Sequence, residues 1–175
     1  MFAHLIRQTL SHSKDNWIRL SEEADMLRAY IELEKMRFKN VFEYGISIAP
    51  DIDAEGTKIP AMMIQPFVEN AINHGLRHLR GKSGKLNVSF SLTERGMLCV
   101  IDDTGIGFKQ AAAMEKKSIY QPMGMDITTS RINVMNMLYN TSSIVNVIHK
   151  NDVNPGSTGT TVEVIIPVVK TMNDE

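Results

Sequence analysis

The sequence predicts a two-layer α+β sandwich, in which a mostly antiparallel mixed sheet is covered on one face by helices. Two observations support this fold class. Several segments carry apolar residues at helical spacing, and others alternate apolar and polar residues as half-buried strands do. Short turns join neighbouring strands, which favours antiparallel pairs, and the helices are left to share one face of the sheet.

A helix opens the predicted domain. Ser21 is a suitable N-cap, and Glu22 and Glu23 follow it at the positive end of the helix dipole. Apolar residues then recur at helical spacing to about Phe38. The next segment, FEYGISI at 42–48, alternates apolar and polar positions and is typical of a half-buried strand.

The rest of the chain is predicted to hold two more helices and four strands. A turn at 49–57 precedes a helix that begins at Pro60 and includes residues 65–78. The predicted elements that follow are strands at 85–92 and 97–102, a loop at 103–123, a helix from Gly124 to Tyr139, and strands at 142–150 and 160–169.

Composition argues against several classes of function. The net charge is −1, so the chain has no electrostatic field suited to nucleic acid or to an anionic membrane. It has no apolar run near the ~20 residues that cross a bilayer, and its N-terminus lacks a signal-peptide layout. The single cysteine, Cys99, lies in the apolar run MLCVI and is expected to be buried core in a reducing setting.

The stretch QPFVENAINHGL at 65–76 combines an apolar helix face with many polar groups. At about 100° per residue, the polar side chains fall together on the other face. These are Glu69, Asn70, Asn73, His74 and Arg77. The Asn70 carboxamide oxygen suits Mg²⁺ or its waters, and His74 can donate to a phosphate oxygen. The alternative is a solvated face of an amphipathic helix, which two Asn residues within the helix disfavour.

A glycine-containing loop, VIDDTGIGF at 100–108, follows a strand expected to be buried. Asp103, Gly105 and Gly107 form the pattern D-x-G-x-G. Glycines let the backbone turn sharply and approach a flat ligand closely. An ionised Asp in such a pocket accepts a hydrogen bond from an exocyclic amine, as on adenine. The alternative is a tight turn at the end of a strand.

Taken in order, these motifs resemble a known family. PFVENAINHGL, VIDDTGIGF, GMDITTSRI and the final GTTVEVIIP are similar to the ATP-binding catalytic domain of sensor histidine kinases, which has the Bergerat (GHKL) fold. RLSEEADMLRAYIE, LEKMRF and IPAMMIQPFVENAINHGL further resemble the LytS-like branch of these kinases. The resemblance covers nearly the whole chain. It implies an enzyme that binds Mg-ATP and transfers the γ-phosphate to a histidine.

The resemblance also implies roles for individual residues. Asn70 corresponds to the asparagine that coordinates nucleotide-bound Mg²⁺, and Glu69 is a candidate to polarise the attacking imidazole. Asp103 corresponds to the aspartate that recognises adenine. The other candidate ATP-binding residues are Asn73 and His74 in the same helix, Gly105 and Gly107 in the first glycine box, Gly124 and Met125 in the second, and Thr160 in the last strand.

Three departures from the family pattern bear on catalysis. The second glycine box has one Gly, with Ile127 at the position that is usually Asn, so it offers fewer side-chain contacts to phosphate. Asn73 occupies a position that is often Lys, which removes a positive charge. The box that carries the phosphoacceptor His is not found in this chain, since His4 and His12 lack its context.

The resemblance implies a setting for the domain as well. Residues 1–20 are expected to be the tail of the dimerisation helices, 21–170 the catalytic domain with 21–38 as its leading helix, and 171–175 a C-terminal tail. The implied partners are the dimerisation domain of a homodimeric parent, which carries the phosphoacceptor His, and a response regulator. The domain is expected to be cytoplasmic, with the parent anchored in the inner membrane by parts outside this chain.

Other functions use related folds. A degenerate, non-catalytic module would bind nucleotide or a partner, and the altered second glycine box favours it. A GHKL ATPase would hydrolyse ATP with water, but it needs a Glu base four residues before the Mg-binding Asn, where this chain has Pro66. A kinase that acts on serine likewise expects an acidic residue at position 66.

Overall fold

The structure is a computed structural model that describes residues 17–38, 41–79, 83–107, 136 and 144–170 of the 175-residue chain. Its elements, in chain order, are β1 (Trp17–Arg19), α1 (Leu20–Arg37), β2 (Phe42–Ile48), β3 (Thr57–Pro60), α2 (Gln65–Asn70), a π-helical turn (Ala71–Gly75), a 3₁₀ turn (Leu76–His78), β4 (Gly84–Thr93), β5 (Gly96–Asp103), β6 (Ile144–His149), α3 (Lys150–Val153), β7 (Thr160–Ile166) and β8 (Val169–Lys170). The predicted α+β class is confirmed.

The strands form two sheets. The larger sheet has the order β2-β4-β5-β7-β6, and a smaller sheet has the order β1-β3-β8. All neighbouring pairs are antiparallel except β2 and β4, which run parallel. These two strands are separated in sequence by β3 and α2, and a connection that contains a helix is what a parallel pair requires. The larger sheet is therefore mixed, and β5 lies at its centre.

Helix α1 begins at Leu20, and its N-cap lies two residues before the predicted one. Its N-cap is Arg19 rather than Ser21, and the Arg19 backbone N–H donates to Glu22 Oε2 at 2.9 Å. Carboxylates in the first turn therefore satisfy the helix start without a Ser cap. The face that points into the protein carries Leu20, Ala24, Leu27 and Ile31, all of them buried. Their spacing follows the helical period.

A buried carboxylate attaches α1 to the segment before α2. Glu23 is 1% exposed, and its Oε2 accepts a hydrogen bond from the Met62 backbone N–H at 3.1 Å. Met62 has a positive φ of 57°, which is uncommon for a residue other than Gly. The contact thus fixes an unusual turn directly ahead of α2 and sets the position of the two helices relative to each other.

The predicted start of the second helix at Pro60 is wrong. Pro60 ends the short strand β3, where it pairs with Trp17 of β1, and α2 begins at Gln65. From Ala71 the helix widens into a π-helical turn and then tightens into the 3₁₀ turn. The assumption of about 100° per residue therefore holds only as far as Asn70.

The core lies between the helices and the inner face of the larger sheet. Alternate residues of β4, β5 and β7 point inward, and these are Leu86, Val88, Phe90, Met97, Cys99, Ile101, Val164 and Ile166. Cys99 is fully buried, as predicted, and burial raises the pKa of its thiol well above the ordinary value of 9.0. The inward row of β5 continues past Ile101 to Asp103, so this strand ends its apolar row on a carboxylate.

Several predictions fall outside the described residues. Apart from Asn136, the predicted helix from Gly124 to Tyr139 is among them, and so are the two site candidates of the second glycine box, Gly124 and Met125. Within the described part of the chain, no helix is long and apolar enough to cross a bilayer.

Candidate functional site

Asp103 lies at the point where the core meets the glycine loop. It is the last residue of β5 and only 4% exposed. Its Oδ1 accepts a hydrogen bond from the Gly105 backbone N–H at 2.7 Å, and the Thr160 backbone N–H also donates to the carboxylate. These bonds fix the direction of the side chain.

Burial raises the pKa of Asp103 from 3.8 to about 6. The two backbone N–H groups and the positive charge of Lys150 lower the pKa, and the neighbouring Asp102 raises it, but desolvation is the largest effect. The carboxyl group is therefore mostly ionised at pH 7 and half ionised near pH 6. An ionised group held out of water at this energetic cost is typical of a functional site.

Three glycines surround Asp103 because side chains do not fit there. A Cβ on Gly75 would lie 2.9 Å from Asp103 Oδ1, and a Cβ on Gly105 would lie 2.5 Å from the Cα of Gly75. Gly159 has φ +101°, and a Cβ there would lie 2.8 Å from the carbonyl carbon of Asp103. The end of the helix, the glycine loop and the start of β7 thus approach one another through bare backbone.

The glycine loop contacts the π-helical turn directly. The Ile106 backbone N–H donates to the Gly75 carbonyl at 3.2 Å, and Thr104 is bonded through its backbone N–H and its hydroxyl to Lys85 of β4. Gly107 follows with φ +79°. The two sequence motifs at 65–76 and 100–108 are therefore adjacent in the fold.

The polar residues of the other motif lie along the helix. Asn70 ends α2, while Asn73 and His74 lie in the π-helical turn, and all three are half-buried. The Asn73 side chain hydrogen-bonds the Tyr30 hydroxyl of α1. π-Helical turns within helices are frequent at functional sites. Here the turn changes the angle at which Asn73 and His74 leave the helix.

Glu69 is held by its own helix. Its Oε1 accepts a hydrogen bond from Gln65 Nε2 at 2.8 Å, one helical turn earlier. Its negative charge, together with burial, raises the pKa of Tyr30. Glu69 therefore lies close to α1 on the same side of the helix as Asn73.

The structure brings most of the predicted residues into one region. Asp103, Gly105, Gly107 and Thr160 lie together at one end, against the C-terminal end of the π-helical turn. Glu69, Asn70, Asn73 and His74 extend from there along the helix. Gly75 and Gly159 were not predicted as site residues, although both lie within motifs 65–76 and GTTVEVIIP, where a glycine is a signal for close approach of the backbone.

Lys150 is a further residue that the sequence did not indicate. Its Nζ donates to the Asp103 carbonyl oxygen at 2.7 Å and to Asp102 Oδ2 at 2.8 Å. It is the last residue of the strand predicted at 142–150, it follows the observed strand β6 directly, and it belongs to no motif. Its position next to Asp103 arises from the pairing of β5 with β7 and of β7 with β6.

Comparisons with known proteins agree with this arrangement. A family model described as histidine kinase matches residues 1–42. The sensor protein LytS of Oceanobacillus iheyensis is 30% identical over 121 residues, which are 68% of this chain and 20% of that protein. LytS of Staphylococcus epidermidis is 26% identical over 168 residues, or 94% of this chain and 27% of that protein. The chain thus spans a fifth to about a quarter of the length of these curated relatives.

The fold has a close counterpart among solved structures. The mycobacterial sensor histidine kinase MprB superposes with a TM-score of 0.56, covering 89% of this chain and 98% of that structure. The sequences are only 14% identical, so this likeness concerns the fold alone. The sequence relatives and the shared fold together identify the chain as a catalytic domain of the sensor histidine kinase family, in its LytS-like branch.

Proposed function

We propose that this domain binds Mg-ATP and transfers the γ-phosphate to a histidine on the dimerisation domain of its parent, for relay to a response regulator. The observation that carries the proposal is the buried, directionally fixed carboxylate of Asp103 between three glycines. Such a carboxylate accepts a hydrogen bond from the exocyclic amine of adenine, whereas the keto group of guanine offers it no donor at that position.

The helix supports the phosphate half of the proposal. Asn70 offers a carboxamide oxygen to Mg²⁺, which keeps several waters and binds mainly through nucleotide phosphates. The bound metal would neutralise charge on the phosphates during transfer. His74 and the Asn73 amide are donors for phosphate oxygens. Both lie in the π-helical turn between Asn70 and the adenine end of the site.

The proposed chemistry rests on position more than on acid–base catalysis. Phosphoryl transfer proceeds with little covalent participation of the enzyme, so alignment and charge neutralisation dominate. Glu69 is the candidate that polarises the attacking imidazole, and its hydrogen bond to Gln65 fixes one of its oxygens. The second glycine box, with Gly124 and Met125, would supply backbone N–H groups to phosphate.

The whole protein is proposed to be a homodimeric kinase in which this domain acts on the parent's own dimerisation domain. The domain would be cytoplasmic and the parent anchored in the inner membrane. The LytS relatives carry the word sensor in their names and are several times longer than this chain, which supports a parent with further domains.

A non-catalytic module is the second candidate function. Asn73 stands where the family pattern often has Lys, and Ile127 stands where it usually has Asn. Loss of these phosphate contacts would leave a domain that binds nucleotide without transferring phosphate. The proposal of an ATPase is weaker, because Pro66 has no group that could activate water.

Calorimetric titration of Mg-ATP and Mg-ADP into the chain tests the proposal. We expect the native chain to bind both, Asp103→Ala to bind neither, and Asn70→Ala to lose only the dependence on Mg²⁺. A second arm supplies the acceptor-histidine helices of a LytS relative and follows transfer of labelled phosphate. Binding without transfer would favour the non-catalytic module, and absence of nucleotide binding by the folded chain would exclude the kinase and leave a module that binds a partner.

A further inference from the structure

Lys150 connects the residues that hold the proposed adenine-recognising carboxylate. Its Nζ lies 2.8 Å from both carboxylate oxygens of Asp102 and 2.7 Å from the main-chain carbonyl oxygen of Asp103. The Lys150 side chain is 22% exposed and that of Asp102 33% exposed. The pair is thus shielded from water more than a surface ion pair, and its geometry is correspondingly better fixed.

The carboxylate of Asp102 has a second partner. Thr161 Oγ1 donates to Asp102 Oδ1 at 2.6 Å from the neighbouring strand β7. Asp102 and Asp103 point to opposite faces of β5, because side chains alternate along a strand. An ion pair on the outer face therefore holds the strand end whose inner face carries Asp103.

Lys150 also contacts the other segment that fixes Asp103. Its backbone N–H donates to the Gly159 carbonyl at 3.3 Å, and the residue after Gly159 is Thr160, whose backbone N–H bonds the Asp103 carboxylate. Lys150 thus holds two segments. Its side chain bonds the main chain of Asp103, and its backbone N–H bonds the main chain next to Thr160.

We infer that Lys150 is a positioning residue for nucleotide recognition, which keeps the Asp103 carboxylate aimed at the base by fixing the main chain on both sides of it. The inference rests on the proposed function, since it concerns recognition of a base by Asp103. Lys150 itself is not a catalytic residue: its side chain bonds Asp102 and the Asp103 main chain, on the side of the strand away from the inward carboxylate.

Charge contributes to the same effect. The charged group from outside β5 that acts most on Asp103 is Lys150, and the neighbouring Asp102 on β5 opposes it. His74 lies next to Gly75 on the helix side, and Lys85 of β4 has an exposed side chain. Loss of the Lys150 ammonium would therefore raise the pKa of Asp103 further and also free the strand end.

The test compares Lys150→Met with Lys150→Arg in the 175-residue chain. Arg keeps the charge and can donate to both acceptors, whereas Met keeps the length and apolar stem alone. Lys58→Met is the matched control, because it removes a half-buried lysine from the smaller sheet. Titration of ADP from pH 5 to pH 8 is measured for each, and the protonation of free ADP over the same range is followed by ³¹P NMR as the reference for the titration of the nucleotide itself.

We expect Lys150→Met to bind ADP about tenfold more weakly at pH 7 and to need a higher pH for half-maximal affinity. Lys150→Arg should restore most of the affinity and the pH midpoint, and Lys58→Met should match the native chain. The ¹³C chemical shift of the Asp103 carboxyl and the hydrogen-exchange rate of the Gly105 amide are also measured without nucleotide. Both should differ from the native values most in Lys150→Met, less in Lys150→Arg and least in Lys58→Met. These two readouts report position and not merely folding.

Two results would overturn the inference alone. One is native-like affinity and pH midpoint in Lys150→Met, and the other is an equal loss in Lys150→Arg. If Lys150→Met fails to fold, Thr161→Val replaces it, because it removes one member of the same network without changing the charge next to Asp103. Absence of ADP binding by the folded native chain would instead overturn the proposed function, and this inference with it.

Discussion

Asp103→Asn should make the nucleotide-free domain more stable while it removes nucleotide recognition. The Asp103 carboxyl is 4% exposed, and its pKa is raised from 3.8 to about 6. Ionising it in the folded chain therefore costs about 3 kcal/mol more than in the unfolded chain. Asn has nearly the same shape and keeps an oxygen that can accept from the Gly105 N–H, but it carries no charge.

The sign of the pH dependence follows from the raised pKa. Between the unfolded value of 3.8 and the folded value of about 6, the unfolded chain releases the proton and the folded chain keeps it. The contribution of Asp103 to the free energy of unfolding of the native chain therefore falls as pH rises through this window and levels off above it. At pH 7 the free energy of unfolding of Asp103→Asn should exceed that of the native chain by about 3 kcal/mol, and about 1 kcal/mol of this difference develops between pH 5 and pH 7.

Urea unfolding at pH 5 and pH 7, followed by circular dichroism, measures this difference. Effects of all other titrating groups cancel between the two chains, so only the contribution of Asp103 remains. Asp51→Asn, at an exposed position in the turn after β2, is the matched control and should change stability little at either pH. A difference that does not grow with pH, or a less stable Asn variant at pH 7, would refute the argument that Asp103 is a desolvated ion.

Three further outcomes are expected. The affinity of the native chain for ADP should fall about tenfold from pH 7 to pH 5, because protonation near pH 6 removes the ionised form of Asp103, and an affinity that stays level over this range would contradict this. Gly105→Ala should lower the free energy of unfolding by about 2 kcal/mol or more, since its Cβ would lie 2.5 Å from the Gly75 Cα; an unchanged thermal midpoint would argue against the close approach. Tyr30→Phe should weaken Mg-ATP about fivefold and leave adenosine binding unchanged, because the hydroxyl bonds Asn73 at the phosphate end. Equal losses of affinity for Mg-ATP and adenosine in calorimetry would contradict a role for this hydrogen bond at the phosphates.

The sequence was sufficient for the parts of the fold with strong periodicity. Strands β4 and β5 alternate along their length, and α1 carries four buried residues at helical spacing, so all three were predicted within about two residues. Strands β1 and β8 have three and two residues, which is too short for any period to appear. Strand β3 ends in Pro60, which was therefore assigned to a helix start.

The candidate site was predictable where it depends on local motifs. Asp103 and Gly105 follow directly from the D-x-G-x-G pattern, and their hydrogen bond is formed within the loop itself. Lys150 was not predictable, because it lies 47 residues after Asp103 and reaches it only through the order of strands in the sheet. The π-helical turn was also missed, since one extra residue in a turn leaves no trace in the apolar pattern.

The buried cysteine is an internal probe for local opening of the central strand β5. Cys99 is the one thiol in the chain, it is fully buried, and it lies four residues before Asp103 on β5. A thiol reagent can reach it only when that strand separates from its neighbours, so the labelling rate reports how often the end of the strand that carries Asp103 comes apart. A nucleotide that binds only the closed form would slow labelling in proportion to its occupancy, and affinity could be measured without any probe attached to the ligand.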